Sequence, residues 1–339
     1  MIGVGIIGFG RIGKEHSSWI DASGNARVVG VFDPTPARSA LASSLGYWTT
    51  SNLPELLNHL SVDAVLIATP TAFHFKQVMQ ALEAEKHVMV EKPMALNLIE
   101  SLQMCETARK KNRVLSVFHC RRWDIDYLTV RQAIESGVFG KLINIESRLG
   151  QWASCVGPAA PEYRPNWRNE SAFGGGGLYD WGSHFLDQLW QLFHPARAVE
   201  VFAQLRGNVW SHDCDDFARV LINFDNGAVG LCEINTTTTR PLPRWHIDGT
   251  EGSADSPFSL TFNTTEWAKL TYTSAKGQTR ELPLAEPGLT ESDIWNKFAK
   301  ACEQNSLPAV TVDSVLVTMR LLEAARESSI RGESVRVRY

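Results

Sequence analysis

The sequence predicts a doubly wound α/β sheet in residues 1–120 and a second, α+β domain in residues 121–339. Short apolar runs at Ile2–Ile7, Val28–Phe32, Ala64–Ala68, His87–Val90 and Val114–Phe118 carry no polar alternation. Such runs suit parallel strands covered on both faces. Helical periodicity fills the gaps at Ile12–Ala22, Ala37–Leu45, Leu53–His59, Phe73–Ala84 and Leu98–Lys111. Strand alternating with helix is the pattern of a parallel sheet wound in both directions. After Arg121 the texture changes. A helix at Ile125–Ser136 leads to strand-like stretches at Leu142–Leu149, Ala198–Leu205, Phe217–Phe224, Ala228–Asn235 and Trp245–Gly249. Asp225-Asn226-Gly227 joins two of them as a tight hairpin signal. Strands grouped in this way pair antiparallel. Helical patterns at Phe185–Phe193, Ile294–Cys302 and Val315–Ile330 complete the second half. No repeat or low-complexity linker interrupts the chain, so a tight junction is expected near residue 120.

Composition narrows the function classes. The chain has 339 residues, 44% hydrophobic and 21% charged, a globular balance that excludes intrinsic disorder. Its 33 basic and 37 acidic side chains give a formal net charge of −4, which is no footprint for nucleic acid. No apolar window reaches the roughly eighteen residues of a membrane span. The apolar start lacks a basic n-region and a cleavage site. Six scattered cysteines form no CxxC pair, so neither a zinc site nor a disulfide framework is expected. A cytoplasmic address follows as the default.

Gly8-Phe9-Gly10-Arg11-Ile12-Gly13 fits GxGxxG between a strand and a helix. In that setting the glycines permit a tight turn and close approach to a pyrophosphate at the helix N-terminus. Asp33 follows Gly13 by 20 residues, at the end of the second strand. A carboxylate there accepts from ribose hydroxyls and repels a 2′-phosphate, favouring NAD over NADP. Arg38, five residues on, is placed to soften that preference. An unrelated glycine turn with a capping aspartate is the competing explanation, and it leaves the coincidence of strand, helix and acid unexplained.

Glu91-Lys92-Pro93 ends the strand His87–Val90. A lysine at the carboxyl end of a parallel strand opens into the ligand crevice of such sheets, although a surface lysine before a proline would look the same. The third constellation is Gly174-Gly175-Gly176-Gly177-Leu178-Tyr179-Asp180-Trp181-Gly182-Ser183-His184. If Asp180 and His184 lie on one helix, their i, i+4 spacing puts carboxylate beside imidazole as an acid/base pair. A structural histidine with Asp180 as an N-cap fits equally.

Together these motifs resemble the Gfo/Idh/MocA oxidoreductases, the glucose–fructose oxidoreductase and inositol dehydrogenase family. The resemblance covers essentially the whole chain: GFGRIG, ATPTAFH (Ala68–His74), EKP, SVFHCRRWD (Ser116–Asp124) and GGGLYDWGSHFLDQ (Gly175–Gln188). It implies a Rossmann domain followed by an open, mostly antiparallel sheet with helices on one face. It implies that Lys92, Asp180 and His184 match the family's catalytic residues. It also implies cofactor contacts from Gly8, Phe9, Gly10, Arg11, Ile12, Asp33, Arg38, Thr69, Pro70, His74, Glu91 and Lys92. Where relatives carry HNRRWD, this chain has Cys120 in place of the asparagine, a departure that bears on substrate preference.

The expected substrate is a sugar or polyol, bound by Lys92, Arg122, Trp152, Tyr163, Trp167, Arg168, Asp180 and His184. Aromatic faces suit the C–H faces of sugars, and arginines suit hydroxyls or carboxylates. Packing or surface ion pairing accounts at least as well for each of Trp152, Tyr163, Trp167, Trp181, Arg121, Arg122, Arg164 and Arg168. The run His212-Asp213-Cys214-Asp215-Asp216 looks metal-like, but strand neighbours point to opposite faces, and no metal is expected. The function expected is NAD(P)-dependent interconversion of a secondary alcohol and a ketone. Two alternatives use the same residues: an NAD-retaining glycosidase working by transient oxidation, and a non-catalytic cofactor-binding regulator. Apolar residues on both alternating sets of Ala198–Leu205 and Ala228–Ile234 predict a homodimer or homotetramer.

Overall fold

A computed structural model describes residues 1–155, 167–258 and 262–339. Strands β1 (Ile2–Ile7), β2 (Ala26–Phe32), β3 (Trp48–Thr50), β4 (Ala64–Ile67), β5 (His87–Val90) and β6 (Leu115–Val117) form one parallel sheet. Their order, β3-β2-β1-β4-β5-β6, puts the reversal of winding between β1 and β4. Ligands bind outside the carboxyl ends of strands at such a point. Every residue of β1 and β4 is buried, as their continuous apolar runs require. The covering helices are α1 (Arg11–Ala22), α2 (Pro36–Ser44), α3 (Leu53–Leu57), α4 (His74–Glu83) and α5 (Leu98–Lys110), the last capped by Asn97 accepting from the Glu100 N–H.

The second half opens with α6 (Ile125–Glu135) and β7 (Leu142–Gly150). Helix α7 (Ser183–Phe193) precedes strands β8 (Ala198–Arg206), β9 (Phe217–Phe224), β10 (Val229–Asn235), β11 (Trp245–Gly249) and β12 (Gly252–Asp255). Then come α8 (Thr264–Trp267), β13 (Thr271–Ser274), β14 (Thr279–Glu281), α9 (Glu291–Gln304), α10 (Val312–Arg331) and β15 (Val335–Arg336). Among the described residues the strands make one nine-stranded sheet, β14-β13-β12-β11-β7-β10-β9-β8-β15. It is antiparallel except for β7 beside β10. Helices α7 and α10 cover one face. The strands that sequence patterning misses, β3 and β12–β15, span two to four residues each and lie at or near sheet edges. They are too short to establish a period, and all three residues of β14 are exposed.

Helix α9 turns back to the first sheet. Ile294, Trp295 and Phe298 are at most 2% exposed and pack with Ile2, Val4, Phe9 and Ile20. Each such burial contributes about 1.5–3 kcal/mol. The N-terminal sheet is thus completed by a C-terminal helix. No described helix is long and apolar enough to cross a membrane.

Candidate active site

A cleft of about 610 Å³ lies between the carboxyl ends of the parallel strands and the start of α7, within the size range of small-molecule sites. One wall is the glycine turn. Gly8 has φ +95°, and a Cβ on Gly13 would lie 2.1 Å from the Gly8 carbonyl oxygen. Beside Gly10 the nearest atom to such a Cβ is in the Arg38 guanidinium, 3.6 Å away. This leaves open backbone facing the cleft at the start of α1, a cradle suited to a pyrophosphate.

Gly10, Arg11, Ile12, Arg38, Thr69, Pro70, Glu91 and Lys92 line the cleft, whereas Gly8, Phe9, Asp33 and His74 lie behind that lining. Asp33 is 2% exposed. Its carboxylate accepts the Phe9 N–H at 2.7 Å and the Thr35 N–H at 2.8 Å. It therefore braces the glycine turn from beneath. His74, also buried, sets its two ring nitrogens against the carbonyls of Thr69 and Pro93, joining the β4 turn to the lysine turn. Burial holds its pKa below the usual imidazole value, against the two carbonyls.

Lys92, just past the end of β5, meets Asp180 from the turn ahead of α7, and His184 at the start of α7 lines the same cleft. The Lys92 ammonium donates to the Asp180 carboxylate at 3.0 Å and to the Asp180 carbonyl at 2.9 Å. Arg168 reaches the same carboxylate oxygen at 3.4 Å. Burial alone would raise the Asp180 pKa, but Lys92 and Arg168 hold it below the usual carboxylate range. The expected Asp180–His184 pair does not form. Leu178–Gly182 is a π-helical turn that becomes α-helix only at Ser183, and its wider turn breaks the i, i+4 alignment. Asp180 engages the two cations instead. His184 is 5% exposed, its buried Nδ1 has no hydrogen-bond partner, and its ring meets His119 edge-on at 5.7 Å. Burial first, then Lys92, Arg121 and His119, hold its pKa well below the ordinary value. The ring is neutral at neutral pH.

Other expected substrate residues separate by position. Trp167 and Arg168 line the cleft, the guanidinium stacked 4.4 Å from the indole centroid. Trp152 does not; it is 56% exposed and packs edge-on against Trp210. Arg122 is buried in a two-pronged ion pair with Asp187 at 2.7 and 2.8 Å, away from the lining. Tyr163 and Arg164 lie outside the described residues. The acidic run fastens loops: Asp213 binds Ser171, Asp215 accepts the Leu178 N–H, and Asp216 accepts the Val209 and Trp210 N–H groups. No cluster of metal-ligating side chains occurs among the described residues. Sequence reading missed Trp19 and Phe118, which line the cleft with rings stacked at 5.7 Å. Neither carries a local signal, because helix α1 and strand β6 bring them together.

Comparison with known proteins identifies the family. Residues 2–119 match a family model described as an oxidoreductase family with an NAD-binding Rossmann fold, and residues 127–255 match the GFO/IDH/MocA C-terminal domain. An uncharacterized oxidoreductase, YdgJ, of Escherichia coli (strain K12) is 33% identical over 62% of this chain, a match spanning 60% of that relative's length. The scyllo-inositol 2-dehydrogenase (NADP(+)) IolW of Bacillus subtilis (strain 168) is 25% identical over 100% of this chain and 96% of its own. The crystal structure of an NAD-binding protein from Listeria innocua superposes with a TM-score of 0.87 at 30% identity, covering 99% of this chain and 96% of that one. The chain belongs to the Gfo/Idh/MocA family of oxidoreductases, and residues 2–119 are its NAD-binding Rossmann fold.

Proposed function

We propose that this protein is an NAD-dependent dehydrogenase or reductase interconverting a secondary alcohol and a ketone on a sugar, an inositol-like polyol or a related derivative. The observation that carries this reading is the meeting of Lys92 with Asp180, beside His184, in the cleft that the glycine cradle also lines. Residues 1–120 serve as the dinucleotide unit and residues 121–339 as the substrate and assembly unit, with α9 packed back on the first.

Gly8–Gly13 would cradle NAD, which would supply the hydride acceptor. In the oxidative direction the Lys92 ammonium donates to the substrate oxygen and stabilises its developing negative charge. His184, neutral because it is buried among cations, accepts the hydroxyl proton at Nε2, since its Nδ1 is buried. Asp180 holds Lys92 in register. In reduction His184 returns the proton. Trp167 and Arg168 orient the sugar from the side.

Six free cysteines suit a reducing, cytoplasmic setting. Phe202 pairs with Leu221, and Leu221 with Leu231, across the sheet. Phe202 and Leu221 are exposed, and this row suits a partner copy in a dimer or tetramer. The test is a panel of sugars, inositols and sugar acids with NAD and NADP, read as reduced nicotinamide formed. Turnover with at least one secondary alcohol is expected. Release of phenol from an aryl glycoside with no net cofactor reduction would overturn net redox in favour of redox-assisted hydrolysis.

A further inference from the structure

Beneath the lysine turn lies a buried relay that the mechanism does not use. Trp295 on α9 donates its indole N–H to His16 Nδ1 at 2.9 Å, and His16 Nε2 lies 2.8 Å from Glu91 Oε1. An indole nitrogen only donates, so Nδ1 is unprotonated and the ring proton sits on Nε2, facing the carboxylate. The ring is fully buried and is held edge-on by Phe118 at 4.3 Å, Trp19 at 4.8 Å and Trp295 at 5.7 Å. Its tautomer and its plane are therefore both fixed.

Glu91 is 8% exposed and lines the cleft. One oxygen takes His16, and the other takes the Lys92 backbone N–H at 3.1 Å. Burial would raise its pKa, but the His16 hydrogen bond leads the opposing influences and the group stays below the ordinary carboxylate value. An anion adjacent in sequence to Lys92 competes with Asp180 for the ammonium unless something holds it elsewhere. We propose that His16 is a positioning residue for Lys92: its Nε2–H, fixed by Trp295, keeps the Glu91 carboxylate on the Lys92 backbone and away from the Lys92 ammonium. Through it the seating of α9 reaches the lysine turn. This rests on the role of Lys92 proposed above.

Three variants of the full chain test it. His16→Leu removes both hydrogen bonds, Trp295→Phe removes only the N–H that fixes the tautomer, and His16→Gln retains a donor and an acceptor. Misplacing the lysine should lower kcat in His16→Leu by about 10–100-fold with the NAD Kd nearly unchanged. Trp295→Phe should fall in the same direction, and His16→Gln should recover most of the loss. Acylation of Lys92 by an amine-reactive ester, counted by peptide mass spectrometry, needs no substrate. It should slow about two- to fivefold in His16→Leu and Trp295→Phe, the equivalent of one partly exposed ion pair. If the wild type turns over no alcohol, the reading of Lys92 fails, and the acylation rates still decide the relay. If His16→Leu does not fold, Trp295→Phe decides it. A folded His16→Leu or Trp295→Phe with wild-type kcat and wild-type acylation overturns the proposal, as does nitrogen NMR placing the His16 proton on Nδ1.

Discussion

Arg122 was an expected substrate ligand, and its observed setting makes the opposite prediction. Its guanidinium gives Nε and Nη2 to the two oxygens of Asp187 at 2.7 and 2.8 Å, with the partners' side chains 9% and 1% exposed. Thr318 donates to Asp187 as well, and Arg122 donates to Ser314. The pair therefore ties the chain just after β6 to α7, one turn beyond His184, and to α10. Asp187→Ala strands a buried cation, a loss of about 3–5 kcal/mol. Replacing both partners, as Arg122→Met with Asp187→Leu, removes the stranded charge and should recover most of that loss, because apolar replacements of buried pairs are often close to neutral. The assay is urea unfolding of wild type, Arg122→Met, Asp187→Leu and their double variant, closed as a double-mutant cycle, with Asp187→Ala measured beside it. NAD affinity should change little in all of them. An Asp187→Ala protein within about 1 kcal/mol of wild type would refute this role, the discriminating scale being that of ordinary surface substitutions. So would an Arg122→Met protein that keeps its urea midpoint but raises KM for substrate.

Three further outcomes are expected. Asp33→Ala removes the acceptor that braces the Phe9 N–H of the glycine turn and should weaken NAD by about 1.5–3 kcal/mol, the worth of a charged hydrogen bond; titration with both cofactors should show the NAD-over-NADP ratio narrowing, and an unchanged ratio would remove Asp33 from cofactor selection. Because His184 is held well below the ordinary imidazole pKa, its limb in the oxidation rate should fall below about pH 6.5, so a His184-dependent limb above neutrality in the pH–rate profile would contradict its buried, cation-flanked setting. Asp215, with its carboxyl pushed up to about 6 chiefly by burial, contributes stability that is present below its unfolded pKa and lost as pH rises through about 6. Asp215→Asn should therefore gain on wild type by up to about 3 kcal/mol at neutral pH, shrinking to nothing in acid, as read by unfolding across pH.

Much of this site was legible because its parts are local. Gly8–Gly13, the lysine at the end of β5 and the glycine run before α7 each declare a strand end or helix start within a dozen residues. The two sheets followed from continuous against grouped apolar runs. What escaped was long-range or subtle. Asp180 meets Lys92 across a separation of 88 residues, which no periodicity encodes. The π turn at Leu178–Gly182 closes its hydrogen bonds at i, i+5 instead of i, i+4, so the α-helical spacing rule paired Asp180 with the wrong partner. Asp33 lies just after β2, where its spacing from Gly13 puts it, yet that its oxygens brace Phe9 and Thr35 depends on how β2 seats beneath the glycine turn. The return of α9 to the first sheet, which brings Trp295 to His16, has no signal in either segment alone.

The most direct measurement is made on His184→Ala with the alcohol that wild type oxidises. Its rate of NADH formation and its NAD affinity are determined on the same preparation. With His184 as the proton acceptor, turnover falls by about 10²–10⁴, the usual worth of a positioned acid/base, while the NAD Kd stays near wild type because the cradle lies on Gly8–Gly13. A variant that keeps near-normal turnover and the wild-type pH profile would show His184 to be structural and would contradict its role as the proton acceptor.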